Sequence, residues 1–128
     1  MATFGTVEMY DELAQLLNND PEWLDKAKAI SYAMAFEYNQ PVGKTFFFRF
    51  EEGVIQDVKE VASLDAEPTD FALSADPETW RGVFEGKVRP VIAVTRGKIK
   101  LQGSMGTLMK HMAAFNILLD SMKKVKLT

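Results

Sequence analysis

Two runs of strict alternation in the first half of the chain constrain its fold more than any other feature. Ile30, Tyr32, Met34, Phe36 and Tyr38 alternate with Ser31, Ala33, Ala35 and Glu37; Phe46, Phe48 and Phe50 then alternate with Thr45, Arg49 and Glu51. A period of two sends successive side chains to opposite faces of an extended strand, so each run presents one large apolar face that something must cover. Asn39-Gln40-Pro41-Val42-Gly43 between the runs reads as a turn. Phe47 breaks the pattern and is expected on the polar side. Glu52-Gly53 leads tightly into a third strand over residues 54–61, whose parity leaves its inner face open: Ile55 and Val61 share one side, Val54 and Val58 the other.

Helices supply the cover. Tyr10, Leu13, Ala14 and Leu17 share one face of a helix over residues 7–18 that Thr6 is placed to cap. Asp20-Pro21-Glu22 starts a second, short helix over residues 22–29, with a capping carboxylate, a proline at the first helical position and an acid near the positive helix end. After an exposed loop over residues 63–69, residues 70–75 read as a strand with Phe71 and Leu73 inward. Asp76-Pro77-Glu78 repeats the capping signature for a helix over residues 77–85, striped by Trp80, Val83 and Phe84 and ended by Gly86. Residues 90–97 are ambiguous: Val91, Ile92 and Val94 favour a strand, with Arg96-Gly97 as a hairpin turn into a strand over residues 98–102. From Gly103-Ser104 one long helix is predicted to run to about Lys124, roughly 30 Å, carrying Met105, Leu108, Met109, Met112, Phe115, Leu119 and Met122 along one side. The order implies a single α+β domain over residues 1–128, its helices gathered on one sheet face.

Composition removes several classes of function. Fifteen Lys and Arg against eighteen Asp and Glu give a net charge of −3, the wrong sign for a phosphate-neutralising surface, so nucleic acid is not an expected partner. The absence of cysteine excludes disulfides, Cys-based metal sites and thiol chemistry. No stretch reaches the roughly 18 apolar residues of a membrane span, and the acidic first residues do not resemble a signal peptide, so a cytoplasmic location is expected.

Candidate chemistry is sparse. His111, the sole histidine, has no partners at metal-ligand or triad spacing and reads as a helix residue. Asp76 and Glu78 are explained as helix-start residues rather than an acid and base pair. Gly103-Ser104-Met105-Gly106 lies between a strand and a helix but lacks the longer glycine spacing of a dinucleotide fold and the lysine of a triphosphate loop, so a tight turn is the expected role. No enzyme activity, cofactor or metal is expected. Four of the seven methionines, Met105, Met109, Met112 and Met122, fall on the last helix. Such soft, unbranched side chains repack around apolar ligands of different shape, and the pattern leaves open whether the space they enclose is filled or empty.

Residues 70–110, DFALSADPETWRGVFEGKVRPVIAVTRGKIKLQGSMGTLMK, resemble the sterol carrier protein type 2 family of small lipid-transfer domains. The most specific piece is Gly97-Lys98-Ile99-Lys100-Leu101-Gln102-Gly103-Ser104-Met105-Gly106, and the earlier meander agrees in order and spacing. The resemblance implies a five-stranded, mainly antiparallel sheet with helices on one face, enclosing a hydrophobic tunnel for acyl chains, fatty acyl-CoA, sterols or related lipids. It also implies a short helix, not a strand, within residues 90–97. Carried onto this chain, the tunnel wall would comprise Phe46 and Phe48 from the sheet, Trp80, Val83 and Phe84 from the middle helix, and Met105, Leu108, Met109 and Met112 from the last. Beyond Lys110 the chain departs from the simplest family pattern, continuing as HMAAFNILLDSMKKVKLT with no peroxisomal Ser-Lys-Leu ending. That extension leaves two roles open: closing the tunnel mouth, or burying Phe115, Leu118 and Leu119 against a second copy. The expected activity is binding, with or without intracellular transfer, of a long apolar ligand. The alternative is an accessory protein that presents a lipid-like substrate, such as a quinone precursor, to partner enzymes.

Overall fold

The alternating runs form the centre of an open five-stranded sheet. The structure is a computed structural model that describes residues 2–127. Its strands β1 (Ala33–Tyr38), β2 (Lys44–Glu51), β3 (Val54–Val61), β4 (Phe71–Ala75) and β5 (Lys100–Gly103) lie in the order β3-β2-β1-β4-β5. β1 and β4 run parallel, and the other neighbouring pairs are antiparallel. The helices are α1 (Val7–Asn18), α2 (Pro21–Lys26), α3 (Pro77–Phe84), α4 (Pro90–Thr95), α5 (Met105–Lys110) and α6 (Met112–Ser121), followed by a 3₁₀ turn at Met122–Lys124. This is the expected α+β architecture.

Pairing turns the alternation into a face. Phe36 lies opposite Phe46 and Met34 opposite Phe48, while Phe71 and Leu73 of β4 align with Met34 and Phe36 from the other side. Against this face pack Tyr10 of α1, Trp23 of α2, Trp80 of α3 and Phe115 of α6, their rings 4.7–6.1 Å from those of Phe46, Phe50, Phe36 and Phe71 respectively. A shift in the β2–β3 register resolves the parity of the third strand: Phe48 faces Val58 and Arg49 faces Asp57, but Phe50 faces Ile55. The irregularity at Gln56 brings residues of opposite parity, Ile55 and Val58, to the same face. Two side-chain bonds then fix α1 to this edge strand, since the Asn18 amide donates to the Ile55 carbonyl at 3.1 Å and accepts from the Ile55 N–H at 2.9 Å. Phe47 does sit on the outer face, yet it is only 4% exposed. Lys59, directly opposite, lays its ammonium 5.3 Å from the ring centroid and pairs with Glu67 of the connecting segment.

Local signals account for most helix ends. Asp20 accepts from the Glu22 N–H at 3.0 Å, and Asp76 accepts from the Thr79 N–H at 2.7 Å. Thr6 holds the cap position of α1 without capping it; its hydroxyl donates instead to the Thr3 carbonyl at 2.6 Å. The Thr79 N–H and then its hydroxyl hold the Asp76 carboxyl below its ordinary value of 3.8. A depressed folded-state pKa contributes stability above the unfolded value that fades as pH falls through the folded one. Asp76→Ala is therefore expected to cost about 1 kcal/mol near neutral pH. In denaturation series the gap from the original chain should narrow below pH 3.8; a constant gap down to pH 2 would mean that the cap is not charge-dependent.

Two segments differ from the local reading. Residues 90–97 are not a hairpin arm: Pro90 opens α4, whose first turn closes with the Ala93 N–H on the Arg89 carbonyl at 3.0 Å. Proline at the first helical position and the demand for a cover over the sheet outweigh the β-propensity of Val91, Ile92 and Val94. The predicted continuous last helix is interrupted at His111, whose φ of −114° and ψ of 24° leave the helical region. At the break the His111 ring packs 5.8 Å from Tyr32.

The Gly103-Ser104-Met105-Gly106 turn separates its two glycines by role. Gly103 has a φ of +129°, and a Cβ there would lie 2.4 Å from the Asp70 carbonyl oxygen, whereas a Cβ at Gly106 would meet nothing within 4 Å. Gly103→Ala is expected to destabilise the protein by at least about 2 kcal/mol. Gly106→Ala should leave it unchanged or up to about 1 kcal/mol more stable, with urea midpoints of both variants reading the difference.

Candidate functional site

The sheet face divides into a filled half and a hollow half. Over β2 and β1, α1 and α3 bring aromatic rings into mutual contact. Tyr10 stacks on Phe46 at 4.7 Å, Trp80 stacks on Tyr38 at 5.4 Å, and Phe84 meets Tyr10 edge-on at 5.7 Å. The two tyrosine hydroxyls satisfy each other at 2.9 Å, and burial pushes both phenols above their ordinary range. The Trp80 indole N–H donates to the Glu37 carbonyl at 2.9 Å. Phe46, Phe48, Trp80, Val83 and Phe84 are all within 2% of complete burial here. They form packed core and do not line the apolar cavity described next.

That cavity, about 370 Å³, opens over the other half. Met34, Leu73 and Leu101 from β1, β4 and β5 form its floor; Val91, Val94 and Thr95 of α4 form one wall; Met105, Leu108 and Met109 of α5 and Met112, Phe115, Asn116 and Leu119 of α6 close it. The expected wall residues Met105, Leu108, Met109 and Met112 are brought together here. Met105 and Met109 are 55% and 66% exposed and mark the rim. The lining contains no titratable side chain, and its volume lies within the usual range for small-molecule sites, roughly 300–1,000 Å³. A larger hollow of about 630 Å³ lies beside α1 and the start of α2, but Glu12, Gln15, Asn19, Asp20 and Lys124 edge it, so it offers little reason for an apolar molecule to leave water.

Sequence reasoning missed α4, the floor residues Met34, Leu73 and Leu101, and Phe115, Asn116 and Leu119 of α6 as lining. The α4 residues were hidden by their strand propensity. Asn116 carried a readable signal, because it is the one polar residue in the Met112, Phe115, Asn116, Leu119 stripe of helical spacing. Phe115 and Leu118, considered as a surface for a second copy, are buried within the chain, and the ring of Phe115 lies 5.4 Å from that of Phe71. Arg81 lies over the Phe4 ring at 4.3 Å and pairs with Glu85 at 3.8 Å. Lys98 borders a hollow with Asp76 and Glu78, and Arg89 borders one with Asp120. Arg96, Lys100 and Lys110 each adjoin a lining residue in sequence, Thr95, Leu101 and Met109 respectively. Among the described residues no cluster of His, Cys, Asp and Glu is arranged to hold a metal ion, and no helix is long and apolar enough to cross a membrane.

Fold and cavity together define a class: small α+β domains in which an open mixed sheet and one layer of helices enclose an apolar space. Within that class, residues 13–116 match the SCP-2 sterol transfer family, and the chain belongs to it. Solved structures agree on the fold. The crystal structure of a sterol carrier protein 2 superposes with a TM-score of 0.84 at 22% identity, covering 95% of this chain and 98% of the other. A conserved hypothetical protein from Thermus thermophilus, described as possibly a sterol carrier protein, gives 0.79 at 21% identity, covering 100% of this chain and 94% of its own. The ubiquinone synthesis protein UbiJ-SCP2 gives 0.60 at 14% identity, with 93% and 91% covered. No curated protein sequence matches the chain.

Proposed function

We propose that this protein binds a long apolar ligand, such as an acyl chain, a sterol-like molecule or another lipid, in the cavity beneath α4, α5 and α6, and carries it through the cytoplasm without a covalent step. The observation that carries this reading is the 370 Å³ apolar space roofed by flexible methionines in a member of a sterol transfer family. At about 30 Å³ for a water-sized unit, it accommodates on the order of a dozen methylenes. Burying these contributes roughly 10 kcal/mol before the cost of immobilising the chain, which supports micromolar or tighter binding without any specific polar contact. A charged head group would remain at the mouth, because the lining holds no counter-charge.

Native followed by denaturing mass spectrometry of freshly purified protein tests the reading, since it reports bound lipid and subunit number in one sample. A co-purified or added fatty acid, sterol or quinone that occupies the chain supports it. An empty chain that takes up none of them defeats it.

The likeness to UbiJ-SCP2 supports a second reading, in which the protein presents a lipid-like substrate to separate enzymes. The two readings share the cavity and separate on partners: a stable complex with an enzyme in pull-down favours presentation, and a free chain that exchanges lipid between vesicles favours transfer.

A further inference from the structure

One polar group in the cavity is left without a use. The Asn116 amide oxygen is buried and meets no hydrogen-bond donor among the described residues. The other polar side chain of the lining is satisfied locally, as the Thr95 hydroxyl donates to the Val91 carbonyl at 2.9 Å. Asn116 shares its side of α6 with Met112, Phe115 and Leu119, and leucine there would pack on the same neighbours without burying an unpaired amide oxygen. An asparagine at such a place costs stability unless something arrives to pair with it.

We propose that Asn116 is a specificity-determining residue of the cavity, accepting a hydrogen bond from the hydroxyl of an otherwise apolar alcohol. The inference rests on the cavity being the ligand site. A neutral hydroxyl is the group that suits this unpaired oxygen. It donates to the amide oxygen, whereas an ether, ester or ketone only accepts; a carboxylate would be repelled by that oxygen; and an ammonium would find no acidic side chain in the lining. Asn116 stands four positions after Met112 on α6, about 6 Å along the axis, and its amide oxygen is buried while Met105 and Met109 of α5 are exposed at the rim. The unbranched methionines around it are the side chains most able to move aside for the incoming group.

The test compares n-decanol with n-decyl methyl ether, which keeps the chain and removes the donor, by titration calorimetry on the full chain and on its Asn116→Leu and Asn116→Ala variants. The preference for the alcohol over the ether is expected to fall about ten-fold in both variants, whatever the change in ether affinity that the altered volume brings. Alanine leaves room where leucine fills it, so the shared loss isolates the amide from the change in volume. Binding of both probes with the same preference in all three proteins overturns the inference and leaves the cavity intact as a ligand site. Failure of the original chain to bind either probe overturns the cavity reading and this inference with it.

Discussion

Replacing Trp80 with alanine is expected to lower the unfolding free energy by about 3–5 kcal/mol, a large share of the roughly 5–15 kcal/mol typical of a folded domain. The indole is fully buried, stacks on Tyr38 with the rings 17° from parallel, meets Phe36 edge-on and donates to the Glu37 carbonyl. Truncation leaves a hole among the packed aromatic rings and removes a donor from a strand carbonyl. Urea denaturation with an unchanged slope would read the loss directly. Trp80→Phe should recover much of the packing but not the hydrogen bond. A folded Trp80→Ala protein that lost ligand affinity with less than about 1 kcal/mol of stability would instead make Trp80 part of a binding wall.

Met112→Trp is expected to do the opposite. Met112 is half-buried and lines the cavity, so a larger ring enters empty space instead of displacing packed atoms. Filling room for about two methylenes, at about 0.8 kcal/mol each, lowers affinity for a chain that fills the cavity by at least about ten-fold. The thermal midpoint should move only modestly. If the variant fails to fold, Met112→Phe distinguishes the cases: a destabilised Met112→Phe protein would place Met112 in dry core, while a stable one with weakened binding keeps it in the cavity wall.

These two substitutions separate residues that a sequence pattern treats alike. Phe46, Trp80 and Met112 are each an apolar residue on the inward side of its element, and periodicity reports only that inward side. Whether the space beyond is occupied depends on what lies across from it. Phe46 and Trp80 lie where Tyr10 of α1 returns over β1 and β2 and closes an aromatic cluster with them. Met112 lies over β4 and β5, where the short α4 and the broken α5–α6 pair meet without filling the volume. The break at His111 had no local signal, since no proline or glycine marks it. Residues 90–97 carried a misleading signal, because Val91, Ile92 and Val94 favour strands while Pro90 and the tertiary demand for a cover set α4.

What was legible in the chain alone is what depends on interactions within a few residues. The period of two marks the strands, Asp20-Pro21 and Asp76-Pro77 mark the starts of α2 and α3, and Gly103 marks the tight turn. The division of inner-facing residues into core and cavity wall emerges when distant segments meet, as does the isolation of a single buried amide, Asn116, within the cavity. Packing density is a property of many segments together in space, and no stretch of chain carries it alone.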